Sequence, residues 1–86
     1  MNSNVWYMYV VRCADGTLYT GITKNISRRL NEHNYGMKGA KYTRSRRPVE
    51  LLYTREYETH SAAASAEYRF KRLKRSEKLK VIGESR

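Results

Sequence analysis

One turn length constrains this chain more than any other feature. Val5 to Val11 reads Val-Trp-Tyr-Met-Tyr-Val-Val, β-branched and aromatic almost throughout, which is the composition of a strand. Side chains alternate across a strand, so Trp6, Met8 and Val10 share one face and Tyr7, Tyr9 and Val11 the other. Both faces are apolar, so the strand is expected to be central, or to have a helix on one side and a site on the other. Thr17 to Thr23 reads as the return strand, with Tyr19 and Gly21 on one face and Leu18, Thr20 and Ile22 on the other. Between them lies Ala14-Asp15-Gly16. A two-residue Asp-Gly loop would pair Ala14 with Thr17 and send Tyr9 and Tyr19 to opposite faces. A three-residue loop, with Gly16 at positive φ, pairs Cys13 with Thr17. It puts both tyrosines on one face, because a slip of one residue exchanges the faces. The three-residue loop is expected. Gly21 inside a strand marks either a close approach of backbone or ligand, or a bulge.

The return strand runs straight into a helix. Asn25 is a good N-cap for a helix over about Ile26 to Asn34. Ile26, Arg29, Leu30 and His33 fall at i, i+3, i+4 and i+7, on one face. Arg29 and His33 are therefore a turn apart, beside the residues that dock the helix. Each also has a plainer reading: Arg29 as a surface charge next to Arg28, and His33 as a helix-end histidine favoured by the dipole.

Tyr35 to Pro48 reads as a loop. It holds Gly36 and Gly39, with Lys38, Lys41, Arg44, Arg46, Arg47 and the aromatic Tyr42, and no acid. A basic segment with an aromatic suits phosphate tracking on nucleic acid, or else a solvated linker. Val49 to Tyr57 is a third strand, with Val49, Leu51 and Tyr53 alternating against Glu50, Leu52 and Thr54. Thr59 caps a helix over His60 to Lys74 whose buried stripe is Ala63, Ala66, Phe70 and Leu73. Glu67 lies about 80° from the centre of that stripe, so it borders the core. The plainer reading of Glu67 is a surface pair with Lys71. Ser76 starts a last helix that ends at Gly83. Arg69 to Lys80 holds seven Lys or Arg and one acid, a second basic surface that includes Lys71 and Lys74.

Charge narrows the class of partner. Lys and Arg number 18 against 8 Asp and Glu, giving +10 over 86 residues. That much like charge opposes compaction unless an anionic partner uses it, so nucleic acid is the expected partner, ahead of a membrane surface. A chain of this length is expected to be one domain with a modest core. The single cysteine, Cys13, excludes an internal disulfide. With no leader segment apparent, it suggests a reducing, cytoplasmic setting. No stretch reaches the roughly 18 apolar residues of a membrane span.

Taken together, the motifs resemble the GIY-YIG nuclease superfamily. Tyr7-Met8-Tyr9 and Tyr19-Thr20-Gly21 stand where its two tyrosine motifs fall, Arg29 follows Gly21 by eight residues, and Glu67 lies on a later helix. The resemblance spans nearly the whole chain. It is similar in detail to a small stand-alone bacterial branch, through Arg12 to Gly16, Gly39 to Thr43 and Arg46 to Leu51. Tyr7 replaces the family's Gly, Met8 its Ile, and Thr20 stands in the middle of the second motif; these changes bear mainly on strand packing. The Asn that many members carry after the Glu has no match, and no appended DNA-binding domain is expected.

The resemblance implies an α+β fold, a three-stranded antiparallel sheet flanked by helices with the site on one sheet face. It implies hydrolysis of a phosphodiester, in DNA rather than RNA, with one divalent cation per site. Glu67 would hold Mg²⁺ or Mn²⁺, with waters and phosphate completing the shell. Arg29 would grip the phosphate, Tyr9 or Tyr19 would take a proton from the attacking water or position it, and His33 would be a second proton carrier. Lys38, Lys41, Tyr42, Arg44, Arg46, Arg47, Lys71 and Lys74 would contact nucleic acid. A monomer is expected, with a protein partner lending specificity. The rival readings are a binding module without catalysis on the same fold, and an interaction protein that docks acidic proteins.

Overall fold

Gly16 adopts φ +86°, and the backbone N–H of Cys13 donates to the Thr17 carbonyl at 2.8 Å. The turn is the expected three-residue loop, and every pairing behind it follows from that. In this computed structural model, which describes residues 4–36 and 41–84, the elements run β1 (Trp6–Arg12), β2 (Leu18–Thr23), α1 (Ile26–Tyr35), α2 (Lys41–Arg44), β3 (Glu50–Tyr57), α3 (His60–Lys71) and α4 (Arg75–Glu84). The three strands form one antiparallel sheet in the order β2-β1-β3, with β1 central.

Each sheet face has its own core. Met8, Val10 and Tyr53 pack on one side against Ala66 and Phe70 of α3 and Ile82 of α4. Tyr9, Val11, Cys13 and Val49 lie on the other, with Tyr19, Leu51 and the α1 residues Ile26 and Leu30 packed against them. The two apolar faces of β1 are thus both covered, as its composition required. At about 25 cal/mol per Å² of apolar surface removed from water, these two layers carry the fold.

The third strand departs from simple alternation. Val10 pairs with Tyr53 but Val11 pairs with Leu51, so the ladder skips Leu52. That bulge shifts the strand's phase by one residue. Val49 and Leu51 therefore face α1, while Tyr53 faces α3. The expectation that Val49, Leu51 and Tyr53 share a face is corrected.

Helix boundaries moved where capping groups compete. Asn25 Oδ1 accepts from the Arg28 N–H at 3.0 Å, starting α1 as expected. The expected loop from Tyr35 to Pro48 contains the one-turn helix α2. α3 ends at Lys71, three residues early, because the N–H groups of Arg72 and Leu73 turn back to the carbonyls of Arg69 and Phe70. The Glu77 carboxylate accepts from the Lys74 N–H at 2.9 Å and starts α4 at Arg75, one residue ahead of Ser76.

Two side chains tie the C-terminal end of α1 to the strand that follows. The Arg47 guanidinium donates to the carbonyls of Glu32, His33 and Gly36 at the helix end, where carbonyls run short of intrahelical partners, and the Glu32 carbonyl also accepts the Gly36 N–H at 3.0 Å. Asn34 Nδ2 donates to the Val49 carbonyl at 3.2 Å, and the Val49 N–H donates back to Asn34 Oδ1 at 2.7 Å. Among the described residues, no helix is long and apolar enough to cross a membrane. Because Asn34→Ala leaves the half-buried ends of both bonds unsatisfied, it is expected to lower stability by about 1–3 kcal/mol in urea unfolding.

Candidate functional site

The site is built on the shared face of β1 and β2. Tyr9 pairs directly with Gly21, and its ring lies across the Gly21 backbone. A Cβ on Gly21 would stand 2.6 Å from the Tyr9 hydroxyl oxygen and 2.8 Å from Cζ. The register runs through Gly21 unbroken, so of the two readings of this glycine the close approach is the one observed. The ring centres of Tyr9 and Tyr19 lie 6.4 Å apart on the same face.

From there a chain of polar contacts runs into α1 and α2. Tyr9, only 3% exposed, bonds through its hydroxyl to His33 Nε2 at 2.7 Å. His33 is wholly buried, and its Nδ1 meets Thr43 Oγ1 at 2.8 Å. Arg29 Nε donates to the Tyr9 hydroxyl at 3.4 Å, and Arg29 Nη1 donates to Glu32 at 3.0 Å. Glu32 also takes Arg28 Nε at 3.3 Å. These contacts explain the protonation states. Burial pushes the Tyr9 phenol up to about 12, with the Arg29 hydrogen bond pulling the other way. Burial, joined by the positive charge of Arg29, pushes His33 down to about 4. The Arg29 hydrogen bond holds the Glu32 carboxyl below its ordinary value. At neutral pH the centre is thus a neutral tyrosine, a neutral histidine and a charged Arg-Glu pair.

Aromatic rings close one flank. Tyr19 meets His33 edge-on at 5.3 Å and stacks on Tyr42 of α2 at 5.8 Å. Arg46 lies over the Tyr42 ring at 4.1 Å, with Nε donating to Asp15 at 3.0 Å and Nη1 to the Tyr42 carbonyl at 2.7 Å. On the other flank a solvent-open hollow of about 290 Å³ is lined by Lys24, Arg28, Arg29 and Glu32 together with Trp6 and Thr23.

Glu67 on α3 has a side chain 23% exposed, pairs with Lys71 at 3.4 Å, and its charge is among those that raise the Tyr9 phenol. Among the described residues no three His, Cys, Asp or Glu side chains gather as a metal cage. A single carboxylate fits a cation that keeps most of its water and shares phosphate oxygens, as Mg²⁺ does.

The residues singled out from the sequence do not all come together, and Glu67 stands on α3, the helix packed on the sheet face opposite Tyr9, with only its charge felt there. Tyr9, Tyr19, Arg29 and His33 come together. Lys41, Tyr42 and Arg44 are exposed on α2, and Lys71 and Lys74 are exposed around the end of α3. Arg46 and Arg47 do not present themselves to solvent in the same way, since Arg46 braces Asp15 and Tyr42 while Arg47 caps α1. Lys38 lies outside the described residues. Sequence reasoning missed Glu32 and Thr43. The i,i+3 spacing from Arg29 could have pointed to Glu32; no local signal marks Thr43 as a partner of His33.

This chain belongs to the GIY-YIG family, whose catalytic-domain model matches residues 5–80. Within it the relatives are small bacterial UPF0213 proteins. One from Desulfotalea psychrophila is 53% identical over 77 residues, covering 90% of this chain and 70% of the relative. One from Bacillus licheniformis is 51% identical over 86 residues, covering 100% and 88%. The solution structure of protein EF2693 from E. faecalis superposes with a TM-score of 0.63 at 42% identity, covering 93% of this chain and 85% of that one. The UPF0213 protein BH0048 from Bacillus halodurans gives 0.60 at 38%, covering 92% and 83%. The expected fold, a three-stranded antiparallel sheet with flanking helices, is the observed one, and the family is a nuclease family.

Two outcomes follow from the buried cluster. In Gly21→Ala the new methyl must displace the Tyr9 ring, so stability should fall by about 1–3 kcal/mol in urea unfolding and the Tyr9–His33 bond should be lost in NMR spectra. Unfolded His33 takes its proton near 6.5 and the folded form only near 4, so between those values the unfolded chain binds more protons. The melting temperature should therefore drop as pH falls through that window. His33→Gln should flatten that limb, as read by calorimetry in matched buffers.

Proposed function

We propose that this protein is a divalent-metal-dependent endonuclease that hydrolyses phosphodiester bonds of DNA. The observation that carries this reading is the junction at Arg29. One guanidinium is braced by the buried Tyr9 hydroxyl and by Glu32, and it also borders an open hollow lined by Lys24 and Arg28. A phosphate entering that hollow meets three cations, one already oriented. A site of this kind lowers a barrier by offering preorganised charge where charge builds up.

The protein's own groups divide the work. Arg29 holds the scissile phosphate in place. Tyr9, with its phenol near 12, keeps its proton at neutral pH and serves to orient Arg29. Tyr19 is partly exposed on the same face and is the one of the two that water can reach, so it positions the attacking water, and in its phenolate form it would take up that water's proton to become the neutral phenol. His33 stays neutral behind Tyr9. Glu67 would hold Mg²⁺ or Mn²⁺, and the bound cation would offset the negative charge that grows on the phosphate. Lys41, Tyr42 and Arg44 on one side, and Lys71 and Lys74 on the other, would follow the backbone of the substrate. We place the protein in the cytoplasm as a monomeric catalytic domain, with DNA structure or a protein partner directing it to its target.

The test is a gel assay on supercoiled, single-stranded and branched DNA in Mg²⁺, Mn²⁺ or EDTA. Wild-type protein should cut only with metal. Glu67→Ala and Arg29→Ala should each lose about 100-fold or more in rate while keeping the circular dichroism of the folded chain. Undiminished cutting by both variants would remove the proposal. Salt-sensitive retardation of the DNA without cutting, in every metal, would replace it with a binding module.

A further inference from the structure

Thr43 is fully buried at the end of a one-turn helix, and its hydroxyl meets the inner nitrogen of a fully buried histidine. That arrangement is hard to explain as packing alone. A valine of the same shape would fill the space, whereas a hydroxyl has to be matched with a polar partner.

The hydrogen bonds around His33 allow two directions. A neutral imidazole has one N–H, on Nδ1 or on Nε2. If it stands on Nε2, the Tyr9 oxygen receives two donors, that N–H and Arg29 Nε. The Tyr9 proton then needs another acceptor inside a buried pocket. Among the described residues, Arg29 and His33 are the groups within hydrogen-bond reach of that hydroxyl, and Arg29 has no acceptor to offer. If the N–H stands on Nδ1, both ring nitrogens and the Tyr9 hydroxyl are matched, and the Thr43 hydroxyl keeps its own proton for a further partner. Thr43 Oγ1 accepts from Nδ1–H, Nε2 accepts from Tyr9 O–H, and the Tyr9 oxygen accepts from Arg29.

We propose that Thr43 is a positioning residue: its hydroxyl holds the His33 proton on Nδ1, so that Nε2 accepts the Tyr9 proton and the Tyr9 oxygen stays turned to Arg29. The role rests on the nuclease reading for its purpose, and on the hydrogen bonds alone for its existence. It also gives α2 a second function. The same turn stacks Tyr42 on Tyr19, so one short basic helix reaches both tyrosines, one through a ring contact and one through His33. Contact of a nucleic-acid backbone with Lys41 or Arg44 would thus be felt at both.

The direct test is the tautomer of His33, read from its two ring ¹⁵N shifts in long-range ¹H–¹⁵N spectra near pH 7. Wild-type protein should show a protonated Nδ1 and a bare Nε2. Thr43→Val should shift the population toward protonated Nε2, and Thr43→Ser should restore the wild-type pattern. In the cleavage assay, Thr43→Val should lower kcat about tenfold, the equivalent of roughly one hydrogen bond, with KM unchanged, and Thr43→Ser should recover it. A wild-type His33 protonated on Nε2 overturns the proposal, whether or not the variants fold. So does a Thr43→Val protein with an unaltered tautomer. If the wild type holds the Nδ1–H form yet cuts no substrate, the nuclease reading fails and the tautomer assignment stands.

Discussion

The ring of Tyr9 lying flat across Gly21 is the contact on which the rest of this molecule depends. It requires a glycine in the edge strand and a three-residue turn before it. It also requires an aromatic in the central strand at the one position opposite that glycine. With the ring there, the hydroxyl reaches past the edge of the sheet toward α1, where His33 and Arg29 meet it. Any side chain at Gly21 would push that oxygen away from both. The glycine is thus kept for the space it leaves to a neighbour, since its backbone is ordinary strand with no positive φ.

Electrostatics then separates the centre from its surroundings. The chain carries a large positive excess, and four of its eight acids are held in ion pairs: Asp15 with Arg46, Glu32 with Arg28 and Arg29, Glu50 with Arg12, Glu67 with Lys71. The exposed pairs contribute little to stability. Glu32 matters differently, because it fixes the direction of an arginine whose other contact is a buried phenol. Inside, Tyr9 and His33 are held neutral by burial, so the charge that faces a substrate is that of Arg29 and its basic neighbours. A polyanion would approach a surface whose positive field has few opposing charges, over a core that cannot easily change its charge.

Much of this was legible in the sequence, and the limits are physical. Turn chemistry is local, so Asp15-Gly16 marked the turn but left two loop lengths open, and only the three-residue choice put Tyr9 and Tyr19 on one face. Helical spacing is local too, so Arg29 and His33 could be placed on one stripe after Asn25. The bulge at Leu52 left no trace, because Val49 to Tyr57 alternates plausibly in either phase and only pairing with β1 decides it. The one-turn helix α2 was hidden in a stretch whose glycines and like charges read as a loop. Thr43 and Arg47 were invisible as partners of α1 because their contacts cross ten or more residues. A basic residue was read as a phosphate contact by default, although a guanidinium is also the best available donor for the open end of a helix.

The skipped residue in β3 has a consequence for how this small sheet is made. A strand with regular alternation commits each side chain to one layer for its whole length. Here Val49, just ahead of β3, and Leu51 at its start join the layer under α1, and the remainder of the strand contributes Tyr53 to the layer under α3. One short edge strand therefore stitches the layer that holds Tyr9 to the layer behind it, and neither is complete without the other. A disturbance on the far side of the sheet has a mechanical route to Tyr9 that runs through the main chain and needs no hinge.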